Sequence, residues 1–92
     1  MAVKVRVPTP LRRFTAGIDE VPADGESISA VIEDLERRHP GMRERLLDDK
    51  GELRRFVNIY VNGDDIRFLS QLSSKVKDGD DISIVPAIAG GR

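Results

Sequence analysis

The residues best suited to chemistry stand at the end of the chain, where Ala89, Gly90 and Gly91 precede a final Arg92. Two consecutive glycines have no Cβ, so they take up backbone angles closed to other residues and present nothing that obstructs passage into a narrow pocket. The functional reading is a threadable reactive end. The competing reading is ordinary fraying of a chain terminus, since a glycine pair alone is a weak motif.

Elsewhere the sequence offers little to a catalyst. It has one histidine, no cysteine, no G-x-S-x-G and no G-x-x-x-x-G-K phosphate loop. His39 lies between Arg38 and Pro40, where a helix terminus near free carbonyls is a better reading than a general base. Asp64-Asp65 and Asp78-Gly79-Asp80-Asp81 lack the sixth-position glycine and distal glutamate of a calcium loop, and are expected to be turns whose carboxylates bond their own backbone. The expectation is a protein that is not an enzyme, with no metal site and no bound cofactor.

Fifteen basic and sixteen acidic residues leave a net charge of −1, so no global field draws the chain to nucleic acid or to an anionic membrane. No apolar run approaches the roughly 20 residues needed to span a bilayer, and the N-terminus lacks a signal-peptide core. A cytoplasmic location is expected. A chain of 92 residues has room for a single modest core.

Val3, Val5 and Val7 alternate with Lys4 and Arg6, the period-two pattern of a strand with one buried face. Pro8 and Pro10 end its pairing, so residues 11–17 read as a loop before a short strand near 19–21. Ser27 can cap a helix in which Ile28, Val31, Ile32 and Leu35 form one apolar stripe. The opposite face carries Glu33 with Arg37 and Asp34 with Arg38, acid before base at i, i+4. Met42, Leu46 and Leu47 suggest a short helical turn after Pro40-Gly41. Residues 53–61 are rich in β-formers, and Asn62-Gly63 is a tight-turn signal leading to a strand that contains Ile66 and Phe68. Residues 69–76 read as a helical turn, and Asp78-Gly79-Asp80 reverses the chain into a last strand through Ile82, Ile84 and Val85. The order β, β, α, β, β, β predicts an α+β, ubiquitin-like β-grasp fold: a mixed sheet of four to five strands with one main helix across it. Residues 1–86 form that domain and 87–92 a flexible tail.

The stretch Arg55-Phe56-Val57-Asn58-Ile59-Tyr60-Val61-Asn62, then Asp65-Ile66-Arg67-Phe68, and the ending Val85-Pro86-Ala87-Ile88-Ala89-Gly90-Gly91 resemble the ubiquitin-like sulfur carriers. That group includes the molybdopterin synthase small subunit and the thiamin sulfur carrier, and the match looks most like its cysteine-biosynthetic branch. The resemblance implies that the Gly91 carboxylate is adenylated by an ATP-using activating enzyme and converted to a thiocarboxylate. Gly90 and Ala89 supply clearance. In the cysteine branch the thiocarboxylate serves a pyridoxal-phosphate-dependent cysteine synthase, and a zinc metallopeptidase of the deubiquitinase type releases the product. Arg92 departs from the pattern, because the family's mature chain ends at the second glycine. Three accounts stand: a peptidase trims it at the Gly91–Arg92 bond, it is not native to the chain, or this homologue is never activated. Two further functions share the scaffold, a ubiquitin-like modifier conjugated to lysines and the molybdopterin synthase small subunit, while an inert β-grasp interaction module would leave the tail unused.

If Val57, Ile59 and Val61 face the helix, alternation sends Phe56, Asn58 and Tyr60 to the other side of the sheet. Arg6, Arg67 and Val85 then border an apolar centre beside the tail, and Phe56, Tyr60, Arg67, Val85 and Ile88 become the candidate partner-binding set. Equally, the loop carrying Leu11 and Phe14 covers those aromatics as a second small cluster. A carrier that dissociates after each transfer is expected to be a monomer.

Overall fold

The structure is a computed structural model that describes residues 2–86. Its centre is two parallel strands with valine and isoleucine on one face: β1 (Ala2–Arg6) buries Val3 and Val5, and the C-terminal strand (Asp81–Pro86) buries Ile82 and Ile84. Between them in sequence come β2 (Glu20–Asp24), antiparallel to β1, β3 (Val57–Val61), antiparallel to the C-terminal strand, and β4 (Asp64–Asp65). With the C-terminal strand numbered β5, the order across the five-stranded mixed sheet is β2-β1-β5-β3-β4. One main helix, α1 (Ile28–Arg38), lays Ile28, Val31, Ile32 and Leu35 on it, the stripe read from the sequence. Ser27 caps α1 as expected, its Oγ accepting the Ala30 N–H at 3.2 Å.

Asp34 corrects the surface reading of that helix. It is 4% exposed, although its spacing to Arg38 resembles an ordinary solvated pair. Asp34 Oδ2 accepts the backbone N–H of Asp24 at 2.8 Å, and the carboxylate also meets Arg37 and Arg38, the latter through Nε at 2.8 Å. Asp24 ends β2, the outer strand, where unpaired N–H groups are open to strand addition. Pro22 in the same strand has no N–H to offer, so proline and a helix carboxylate together blunt the edge. Glu33 does not pair with Arg37 as expected; its Oε2 accepts from Arg43 Nε at 2.8 Å and so links α1 to the next helix. Asp34→Ala is expected to cost about 1–2 kcal/mol, chiefly because it removes the acceptor of the Asp24 N–H at the sheet edge, while Arg38 keeps its bond to Asp24 Oδ2 at 3.0 Å and Arg37 turns to solvent. Urea denaturation checks this, and a loss under about 0.5 kcal/mol would return Asp34 to the class of ordinary surface carboxylates.

The expected turn after Pro40 is a short helix, α2 (Met42–Leu46), burying Met42 and Leu46. Gly41 enters it at φ +101°, and a Cβ there would lie 2.7 Å from the Phe14 ring, so both conformation and space call for glycine. Glu36 reaches across from α1 to accept the Arg43 N–H at 2.9 Å and the Gly41 N–H at 3.1 Å, and those donors hold its carboxyl below 4.5.

Three segments differ from expectation. Residues 11–17 are not an open loop: Thr9–Thr15 is a 3-10 helix closed by buried Thr15, whose hydroxyl bonds the Ile18 carbonyl at 2.7 Å. The second strand runs later than 19–21, at Glu20–Asp24. The stretch 53–61 is a strand only from Val57, since Leu53 bridges Leu47 and the Arg54 N–H bonds the Leu46 carbonyl at 3.0 Å, which draws the segment towards α2. Past the Asn62-Gly63 turn, β4 stops at Asp65, whose Oδ1 accepts the Arg67 N–H at 2.9 Å and starts a 3-10 turn over Ile66–Phe68. A second such turn, Gln71–Ser73, precedes β5.

Candidate docking face and tail exit

The strand register places the exposed side chains of the sheet. With Val57, Ile59 and Val61 buried against the helix, the other face carries Lys4 and Arg6 of β1, Ser83 and Val85 of β5, and Asn58 and Tyr60 of β3. Arg6 lies beside Ser83 and Ser83 beside Tyr60, while Val85 lies opposite Asn58. Pro86, opposite Val57 at the start of β3, is the last described residue. Ile88, Ala89, Gly90, Gly91 and Arg92, the candidate contact, clearance, activation and processing residues, lie outside the described residues.

The structure brings Tyr60, Val85 and Arg67 to one face and sets Phe56 at its edge. Phe56 is in the turn before β3 rather than in the strand, and it is 49% exposed next to Val57, which pairs with Pro86; Val85 is 42% exposed. Of the two readings left open, the covering cluster is not formed: Leu11 and Phe14 pack against the main core, with the Phe14 ring under Arg13 and Arg45 at 5.0 and 5.7 Å. Arg67 has a second occupation. Its guanidinium bonds Asn58 Oδ1, donates to the Val57 carbonyl at 2.9 Å and reaches the Arg54 carbonyl at 3.5 Å. It thereby closes the outer side of β3 where β4 is too short to pair, and steadies the turn that carries Phe56.

Sequence reasoning missed the two most exposed apolar neighbours of Tyr60. Phe68 is 87% exposed and Leu69 48%, because the 3-10 turn that buries Ile66 swings them out of the sheet. The available signal was the pair of adjacent bulky apolar residues in a segment without alternation. They share with Tyr60, Asp64 and Asp65 a shallow groove of about 560 Å³.

His39 sits at the end of α1, its N–H donating to the Leu35 carbonyl at 2.7 Å. Asp80, in the acidic turn, accepts from the Lys77 N–H and from Asn62 Nδ2 at 2.8 and 3.1 Å, which lowers its carboxyl below 3.8. Among the described residues no group of histidine, aspartate and glutamate is arranged to hold a metal ion, and no helix is long and apolar enough to cross a membrane.

A mixed β-grasp sheet crossed by one main helix, with one open face, in a chain whose last residues are Gly90, Gly91 and Arg92, defines the ubiquitin-like class of small proteins. Within that class the chain belongs to the ThiS family, which it matches over residues 5–91. It is 50% identical to the sulfur carrier protein CysO of Mycobacterium tuberculosis strain H37Rv over 93 residues, covering 99% of this chain and 100% of that protein. The crystal structure of the Amycolatopsis orientalis BexX/CysO complex contains a chain 46% identical, superposing with a TM-score of 0.91 over 97% of this chain and 99% of the other. The solution structure of small archaeal modifier protein 1 from Methanosarcina acetivorans is 35% identical, with a TM-score of 0.82 over 98% and 96%. The family is one of sulfur carriers rather than catalysts.

Proposed function

We propose that this protein carries sulfur as a thiocarboxylate on Gly91 and delivers it to cysteine synthesis. The observation that carries the reading is the family match, which runs through residue 91 and leaves only Arg92 beyond it. A peptidase first hydrolyses the Gly91–Arg92 bond. The freed carboxylate attacks the α-phosphorus of ATP on an activating enzyme, expelling pyrophosphate, and a sulfur donor then displaces AMP from the acyl carbon. The resulting anion is a soft nucleophile that adds to an aminoacrylate held by a pyridoxal-phosphate-dependent synthase. The acyl group of the resulting thioester shifts from sulfur to the neighbouring amine, and a zinc metallopeptidase of the deubiquitinase type then hydrolyses that amide, freeing cysteine and restoring the Gly91 carboxylate. The half-identity to CysO along its whole length supports this branch. The carrier binds no cofactor of its own, works as a monomer in the cytoplasm, and docks on each enzyme through Tyr60, Val85 and Phe56, with Arg67 bracing the edge and Ile88 leading the tail.

The likeness to an archaeal modifier protein favours one other acceptor, a lysine amine in place of a sulfur donor, giving isopeptide adducts from the same adenylate. Intact-mass measurement separates the two. Protein recovered from its own cell extract after incubation with ATP and a sulfur donor is expected to lack Arg92 and to carry sulfur in place of one oxygen. An unchanged full-length mass, under conditions that thiolate a control carrier, overturns the reading.

A further inference from the structure

We infer that Phe68 and Leu69, flanked by Asp64 and Asp65, are an anchor for the activating enzyme distinct from the strand face at the tail exit, and that they fit an apolar recess bordered by lysine or arginine. The inference rests on the carrier reading for the identity of that partner.

The loop is built to hold these side chains out. Ile66 is fully buried immediately before them, the Arg67 guanidinium grips Asn58 and the Val57 carbonyl, and Asp65 caps the turn. Beyond them the Ser70 N–H donates to buried Ser74 Oγ at 3.0 Å, and Gln71 is held at φ +53°, a left-handed conformation that non-glycine residues rarely adopt. Such strain persists only where surrounding contacts over-determine it, and it gathers at ligand clamps and binding loops. An anchor fixed before binding loses little conformational entropy when it docks, which makes a large exposed aromatic valuable there.

Charge selects the occupant. Asp64 and Asp65 border the same groove as Tyr60, Phe68 and Leu69, so nucleic acid and anionic lipid are repelled from it. A two-fold pairing of two copies through this groove brings like carboxylates together, which disfavours self-association. A protein surface with an apolar recess and basic border satisfies both components. Tyr60 joins this groove to the sheet face, and it lies three positions along β3 from Val57, the partner of the last described residue Pro86, about 10 Å away. One enzyme surface of standard size spans both while it holds the tail.

The test uses the cognate activating enzyme and the carrier ending at Gly91, with affinity measured by calorimetry at low and moderate salt. The double variant Phe68→Ser/Leu69→Ser is expected to bind at least about 30-fold more weakly, as truncation of an interface anchor does. Asp64→Lys is expected to weaken binding and flatten its salt dependence. Both variants should keep the melting temperature of the parent. Unchanged affinity in both, with a parent that binds and is thiocarboxylated, overturns the anchor and leaves the carrier function standing. A parent that neither binds nor reacts overturns both. A parent that sediments as a dimer, made monomeric by the double variant, assigns the groove to a second copy and also overturns the proposal.

Discussion

A chain ending at Gly91 is expected to form thiocarboxylate about 100-fold faster than the same chain with Gly90→Val, and the 92-residue form is expected to form none until Arg92 is removed. The two effects have separate causes. Gly90 precedes the acyl carbon's own residue, so a branched side chain there meets the walls of any channel narrow enough to exclude water from an adenylate. Displacing the carboxylate by an ångström from the phosphorus it attacks costs about a hundredfold, because the reaction depends on near-attack alignment. Arg92 acts covalently: while it is attached, the Gly91 carbonyl belongs to an amide and has no carboxylate oxygen to attack phosphorus. Pyrophosphate release and tail-fragment mass spectrometry read both effects with purified activating enzyme. If the 92-residue form is adenylated on the Arg92 carboxylate itself, or if Gly90→Val reacts at the parent rate, the threaded-tail mechanism fails.

What was legible beforehand follows from how locally each feature is encoded. The α1 stripe and the alternation in β1 and β5 are single-element patterns, and each burial choice agrees with its period. The glycine pair is equally local. The Asp34–Arg38 pair forms at the spacing read from the sequence, but the burial of Asp34 was not legible, because its further partner, the Asp24 N–H, sits on a strand edge visible only after the sheet assembles. The segment after β4 failed for a related reason. Ile66 and Phe68 have the spacing of strand neighbours, but the Asp65 side chain captures the Arg67 N–H and converts the backbone to a 3-10 turn, so one of them enters the core and the other meets solvent. That reversal is also what hid the groove beside Tyr60. Arg67 was visible as a basic residue near the sheet, yet its hold on the Val57 carbonyl depends on β4 being only two residues long.

Replacing Ile66 and Phe68 in turn gives a sharp contrast in stability. Ile66→Ala is expected to cost about 3 kcal/mol, since it removes a fully buried side chain from a core that cannot close over the space. For a domain of this size that lowers the melting temperature by about 15 °C. Phe68→Ala is expected to change stability by less than about 0.5 kcal/mol, because a ring 87% exposed gives up almost no contact. The pair is two residues apart in one short turn, so propensity and local backbone are nearly matched and the difference isolates burial. Parallel thermal and urea denaturation of the two variants decides the matter. If Phe68→Ala costs more than about 1 kcal/mol, the ring is covered in solution and cannot serve as an exposed anchor. If Ile66→Ala is nearly neutral, the loop is not tied to the core, and the preorganisation that gives Phe68 its value in docking is absent. Only the combination of a costly Ile66 and a free Phe68 is compatible with a rigid loop built to present an apolar side chain to a partner.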